Sequence, residues 1–419
     1  MDFSIPRHRP DFWTWITILI LAVLCILLIL PILRVLTLGF VDPDTGSLTL
    51  GNFIEVFTRN YYLNGLKNTL FVGVLGTLGA CLIGIPLAFF TTRFLIRGKT
   101  LISTLAILVL VSPPFISAYA WIMMMGSNGV ITNFFDGIGI NIPTIYGAHG
   151  IILVFSLKFF PFIFLMTQTA LNAVNKSFED AAENLGCSPW QRFVKVTLPL
   201  VFPAVSTGAI ICFVLSIADF GTPAILGRGF RTLSTIALSA YRSELGGPPT
   251  MAVTVSILMM AISMIALVAQ RRILANRRYA SSLTNLPVAV KLSGWKNAAV
   301  HFFSHGIVFL AMLPSAVVVY TSFLKTNGPV FVGGFGLESY DRIWRDAPDA
   351  IYNSFLFAII AVTFITITSG LISYVIVRRD TKAAAAIDFL MMVPYLVPGV
   401  VMAIGFVTVF RNGMPNFFG

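Results

Sequence analysis

The 419 residues are 57% hydrophobic and only 11% charged, with a mean hydropathy of +0.88. A soluble chain carries roughly 45–50% apolar and about 25% charged residues, so too few polar side chains are present to cover a water-facing surface of this size. Large soluble enzymes of the Rossmann or TIM-barrel kind are excluded. The formal net charge of +11 reads as a signal of membrane orientation, with no nucleic-acid partner.

Crossing a bilayer takes about 20 mostly apolar residues in a helix. Runs of that kind fall at 12–38, 66–92, 101–125, 150–172, 201–226, 250–270, 299–323, 353–377 and 385–410. The expected fold is therefore an all-α polytopic membrane protein, in contact with lipid on most sides. The first run is too long for a signal peptide's apolar segment and lacks a small-residue cleavage site, so it is expected to stay as an anchor. Basic residues crowd alternate loops: Arg93, Arg97 and Lys99, then Lys176, Arg192 and Lys195, then Arg271 to Arg278, then Arg378, Arg379 and Lys382. Together with Arg7 and Arg9 they predict a cytoplasmic N-terminus. The four cysteines, Cys25, Cys81, Cys187 and Cys212, show no CxxC spacing, so no disulfide framework or zinc site is expected.

The chain also repeats itself at an offset of roughly 285 residues. Leu50-Gly51-Asn52-Phe53 returns loosely as Leu337-Glu338-Ser339-Tyr340, Asn68-Thr69-Leu70 as Asn353-Ser354-Phe355, Thr92-Arg93 as Val377-Arg378, and Pro113 as Pro398. The loop Asn128-Gly129 with Asn133-Phe134-Phe135 has its echo in Asn412-Gly413 with Asn416-Phe417-Phe418. A unit of six spans gives two copies in the same orientation, related by an axis along the membrane normal. The expected division is a first half over 1–270, a basic cytoplasmic linker over 271–298, and a truncated second half over 299–419. About nine spans are then seen of an expected twelve or so. The chain is expected to be either a fragment or one that borrows its missing part from another polypeptide.

Between the fourth and fifth spans lies Ser177-Phe178-Glu179-Asp180-Ala181-Ala182-Glu183-Asn184-Leu185-Gly186. Ser177 with Asp180 predicts an N-cap with an acidic residue at N3. Phe178, Ala181 or Ala182, and Leu185 recur at helical spacing, and Gly186 suits the left-handed residue that ends a helix. Ser188, Pro189 and Gln191 predict a second capped helix immediately after it. The prediction is a stiff lever between two spans, on which a soluble partner can push.

Asp180-Ala181-Ala182, three residues, Gly186, nine residues, then Val196-x-Leu198-Pro199 resembles the EAA loop of binding-protein-dependent ABC importer permeases. Asp180 stands where that family has Glu and Val196 where it has Ile; the spacing agrees throughout. The resemblance implies a type I ABC importer permease fold, and a coupling helix made by Glu179, Asp180, Ala181, Ala182, Gly186, Leu198 and Pro199 that docks on an ATPase subunit. The fused two-half layout, with Ala218-Asp219-Phe220-Gly221-Thr222-Pro223, is similar to the ferric-iron type of these permeases. It implies an ATP-binding cassette ATPase dimer and a periplasmic solute-binding protein as partners, and a place in the bacterial inner membrane. ATP and Mg would be used by the partner ATPase, with no cofactor on this chain and no enzyme activity of its own. Ferric iron is the first solute implied; 2-aminoethylphosphonate, thiamine or a polyamine are alternatives. The second coupling loop of the family pattern is absent from these residues.

A reading from another class, an ion-coupled secondary transporter, would need membrane carboxylates, and the spans hold almost none. Gly98-Lys99-Thr100 is no phosphate-binding loop, because Arg93 occupies the place of the first glycine. Lys158, deep in the fourth run, is either a translocation-pathway residue or a snorkelling side chain. Asp219 either lines the outer mouth of the pathway or pairs with Arg228 or Arg231. Gly73, Gly76, Gly79 and Ala80 form a small-residue stripe expected to pack helices. His8, His149, His301 and His305 share no ligand spacing, so no metal site is expected.

Overall fold

The computed structural model describes residues 11–42, 45–243, 249–275, 289–327, 330–395 and 397–410. In chain order the helices are α1 (Phe12–Gly39), α2 (Gly51–Thr58), α3 (Asn60–Arg93), α4 (Lys99–Val111), α5 (Pro114–Met125), α6 (Val130–Gly137) and α7 (Ala148–Ala173). There follow α8 (Lys176–Asn184), α9 (Pro189–Ala218), α10 (Gly221–Leu226), α11 (Leu233–Ser243), α12 (Thr250–Ala275) and α13 (Gly294–Ser322). A hairpin of β1 (Leu324–Asn327) and β2 (Val330–Phe335) precedes α14 (Glu338–Asp346), α15 (Pro348–Arg378), α16 (Lys382–Met392) and α17 (Gly399–Phe410). Among the described residues the antiparallel hairpin is a departure from helix that the apolar periodicity did not predict.

Among the described residues seven helices are long and apolar enough to cross a membrane, or eight if one bent pair is a single span. The expected count of nine is corrected at two places. The run over 101–125 breaks at Ser112-Pro113, and the helix Lys99–Val111 meets the stretch Phe115–Gly137 at 104°. A proline disfavours helical geometry in the residue before it, and the tandem pair applies this to both Ser112 and Pro113. The run over 385–410 divides into α16, a 3₁₀ turn at Val393–Tyr395 and the short α17, around Pro394 and Pro398. By contrast Pro86, Pro161, Pro203 and Pro314 sit inside continuous helices. The echo loop at 412–418, residues 276–288 of the linker, and Arg7, His8 and Arg9 lie outside the described residues.

The chain divides into two compact units, Val41–Val319 and Met1–Phe40 with Tyr320–Gly419. The larger is built on α3, α7 and α9. In lipid there is no hydrophobic drive to bring apolar helices together, so close packing and dispersion must do it. The glycine stripe supplies the close approach. A Cβ on Gly76 would lie 2.9 Å from the Phe155 Cβ, and one on Gly84 would lie 2.9 Å from the Phe160 carbonyl oxygen. Gly73 meets Phe213 of α9, and Gly208 of α9 meets the backbone of Ile163. Phe155, Phe160 and Phe164 fill the space so framed and are fully buried.

In the smaller unit α1 packs with α15, α16 and α17 around Ile20, Val375, Ala384 and Ile387. Trp13 stacks on Tyr374 at 4.0 Å, and Arg379 pairs with Asp11. The internal repeat is visible as one local pattern in both units. Each copy begins with a short helix, α2 or α14, entered from a leucine in nearly the same backbone conformation: Leu50 at φ −99°, ψ 2° and Leu337 at φ −104°, ψ 12°. A long span follows, α3 or α15, and then two shorter helices, α4 and α5 or α16 and α17.

Candidate functional site

The loop between α7 and α9 forms the lever the sequence predicted, with one correction at its start. Asn175, not Ser177, is the N-cap: its side chain accepts from the Ser177 N–H at 2.9 Å, and Lys176 opens α8. Ser and Asn compete for the same role in adjacent turns, and an Asn two residues upstream satisfies the free N–H first. At the other end Gly186 sits at φ +83°, donating its N–H to the Glu183 carbonyl, while Cys187 donates to Ala182. A side chain at φ +83° is strained, so glycine is required for the corner. Ser188 and Gln191 then make the full reciprocal capping box, at 3.3 Å and 2.9 Å, with Pro189 in the first turn. A π turn at Phe193–Thr197 carries the chain into Leu198 and Pro199 of the span.

Glu179 fastens this lever to two spans. Its Oε1 accepts from Arg93 Nη2 at 2.6 Å and from Thr197 Oγ1 at 2.9 Å. Arg93 ends α3, and Thr197 leads into the membrane part of α9, so three segments meet on one carboxylate. Both charged side chains are largely buried, which raises the strength of the charge-assisted bond. One turn away Gln168 of α7 donates to Thr91 of α3 at 3.1 Å. Arg93 also presents its carbonyl to the Val290 N–H at 2.9 Å, and Leu95 donates to the Val290 carbonyl, so the end of the linker pairs with the same corner.

Of the other predicted loop residues, Ala182 is buried against the lever's inner side and Ala181 is exposed. Asp180 faces Lys176 at 4.0 Å, Glu183 pairs with Arg192, and Leu198 and Pro199 are half-buried. The tip is apolar and open to solvent: Phe178 is 46%, Trp190 71% and Leu185 85% exposed.

Lys158 and Asp219 find one another. Lys158 Nζ lies 2.7 Å from Asp219 Oδ2, with the side chains 10% and 3% exposed. The remaining oxygen, Oδ1, accepts from the Thr222 N–H at 2.9 Å and so caps α10, and Ser234 Oγ donates to the Asp219 carbonyl. The pair bridges α7 to the point where α9 stops. Neither Arg228 nor Arg231 is the partner of Asp219. Sequence reading missed Arg93, Thr197 and the mutual pairing of Lys158 and Asp219; the available signal for the last was that each is the lone charge in its apolar run.

Residues 80–279 match the family model described as "Binding-protein-dependent transport system inner membrane component". A ferric transport system permease protein of Haemophilus influenzae is 27% identical over 410 residues, covering 91% of this chain and 61% of that protein. The corresponding permease of Actinobacillus pleuropneumoniae is 27% identical over 380 residues, covering 86% of this chain and 52% of that one. The chain thus spans roughly half to three fifths of the length of these curated relatives. A chain of a bacterial alginate ABC transporter, solved in complex with an alginate-bound periplasmic protein, shares 16% identity at a TM-score of 0.49, over 62% of this chain and 94% of that one. The family match, a little under half of the chain, takes in the end of α3, then α7, the lever and α9, and in that stretch the chain is similar to the inner-membrane components of binding-protein-dependent transport systems.

Proposed function

We propose that this chain is the transmembrane part of an ATP-driven importer that accepts solute from a periplasmic binding protein and is moved by an ATPase docked on α8. One observation carries the reading: the exposed apolar tip of Phe178, Leu185 and Trp190 is tied through Glu179 to the ends of both α3 and α9. A push on such a tip moves two spans together. The N-terminus is cytoplasmic on this reading, the ATP and Mg belong to the ATPase dimer, and the permease makes and breaks no bonds. Ferric iron is the first solute, on the strength of what the relatives' names say, with 2-aminoethylphosphonate, thiamine and polyamines behind it.

The test is pull-down of the ATPase from native membranes, read beside solute uptake in cells. Leu185→Asp adds a charge to an exposed side chain, so the fold tolerates it while docking does not. Gly186→Val breaks the corner by its backbone conformation. Both variants are expected to reach the membrane and to lose ATPase retention and uptake at least ~10-fold, the equivalent of about 1.4 kcal/mol of docking energy. Uptake that persists in both, and that collapses only when the proton or sodium gradient is removed, would replace this reading with ion-coupled transport.

A further inference from the structure

A cavity of about 430 Å³ opens at the end of α9 opposite the lever, between α5, α10 and α11. Its walls are Phe115, Phe220, Phe230 and Leu238, and three arginines face it: Arg228, Arg231 and Arg242. Among the described residues no Asp or Glu lines it. None of the ion pairs among the described residues uses any of the three guanidinium groups. Asp219, nine residues before Arg228, is already committed to Lys158 and to the first turn of α10, and Glu244 lies outside the described residues.

Arg228 is held in place by more than charge. It has φ +42°, a left-handed backbone rare for a side chain with a Cβ, and such strain persists only where the surroundings enforce it. Its guanidinium lies 3.3 Å from the Tyr146 ring centroid and donates to Ser127 Oγ at 3.4 Å. Arg231 stands 5.1 Å from the Tyr61 ring centroid, and its carbonyl accepts from Asn68 Nδ2 at 2.9 Å. A guanidinium held over a ring keeps its in-plane N–H groups for donation, and Arg228 spends one of its five on Ser127, leaving others for a carboxylate or phosphate.

We propose that this cavity is a binding site for a small oxyanion, a phosphate, phosphonate or carboxylate group carried by the transported solute. The proposal rests on the importer reading and narrows it. Three uncompensated positive charges around a pocket with apolar walls repel a bare ferric ion and concentrate anions. Iron, if it is the cargo, then arrives as a complex with an oxyanion; otherwise the cargo is an organic oxyanion such as 2-aminoethylphosphonate. The concave shape and volume suit a small ligand in place of a flat protein face.

The test uses the full chain in lipid nanodiscs and radiolabelled inorganic phosphate as probe, with putrescine as a cationic control. Arg228→Gln, Arg231→Gln, Arg242→Gln and the triple variant are compared with wild type, each checked for an unchanged thermal midpoint. Wild type is expected to bind phosphate and not putrescine, with affinity falling as salt rises. Each single variant should weaken binding several-fold and the triple at least ~10-fold, as loss of charge-assisted hydrogen bonds requires. Arg228→Lys should recover less than Arg231→Lys, because a lysine cannot keep the stacked fork. In cells, uptake of labelled ferric citrate and of labelled 2-aminoethylphosphonate separates the two sources: the one lost in the triple variant is the cargo. Phosphate binding no tighter in wild type than in the triple variant, or putrescine preferred over phosphate, overturns the proposal. So does loss of uptake with phosphate binding intact, which would assign the arginines to docking an acidic protein face. Gly186→Val leaves phosphate binding unchanged but abolishes uptake; normal uptake in that variant overturns the importer reading and not the anion site.

Discussion

At the scale of single residues, the two carboxylates that matter are buried for different ends. Glu179 collects donors from two spans, so one carboxylate ties together the segments it joins. Asp219 instead pairs with a lysine that is 10% exposed and closes the first turn of α10. Taking a charge pair out of water is costly, and the cost is recovered only while both partners stay. Lys158→Met therefore strands Asp219 and is expected to cost about 3–5 kcal/mol of stability. Adding Asp219→Asn should return most of that loss, because Asn still accepts from the Thr222 N–H while no charge is left unpaired. Detergent-solubilised melting midpoints read the cycle: a double variant as unstable as the two single losses added together would sink the pairing.

At the scale of elements, what was legible in the sequence was local. Gly186 and the Ser188–Gln191 box announced a helix end and a helix start, and both are present, because capping depends on residues within one turn. The glycines of α3 announced close packing, and α7 and α9 supply the bulky residues that fill it. The partner of Glu179, 86 residues away, and that of Lys158, 61 residues away, were not legible, since such pairings depend on which helices pack. Nor does a proline by itself say whether a span bends. Pro161 sits inside α7, packed on both sides, whereas Pro113 with Pro114 ends a helix. The packing argument ranks substitutions within these elements. Gly84→Ala drives a Cβ to 2.9–3.0 Å from the Phe160 oxygen and Phe164 nitrogen, backbone atoms that cannot swing aside, and is expected to cost about 1–3 kcal/mol. Gly79→Ala meets the Ser156 Oγ, which can rotate away, and the Ser156 Cβ at 2.9 Å, which cannot, so it is expected to cost about as much as Gly84→Ala. Gly370→Ala on α15 meets nothing and is neutral or stabilising by up to about 1 kcal/mol. An order other than this in melting midpoints would mean that α3 and α7 do not pack through their glycines.

At the scale of the molecule, the chain has two ends to its bundle, and their chemistry differs. In the larger unit the end holding α8 and Val290 carries Arg93, Lys176 and Arg192, each with an acidic neighbour. The opposite end carries Arg228, Arg231 and Arg242 around a cavity, with no carboxylate facing them among the described residues. The 21 residues Leu198–Ala218 link the two, about 30 Å of helix and so the thickness of a bilayer core. On the proposed orientation, with the bent pair counted as one span, the basic loops put the lever in the cytoplasm, and that proposal can be read directly. With the four native cysteines replaced by serine or alanine, Asn141→Cys and Leu185→Cys place one exposed thiol at each end of α7. A membrane-impermeant maleimide should label the first in intact cells and the second only after the inner membrane is opened. Both residues belong to the larger unit, so the result does not depend on how the two units are arranged. The reverse pattern would put the arginine-lined cavity in the cytoplasm, where it could not receive solute from a binding protein, and the direction of transport proposed here would have to be abandoned.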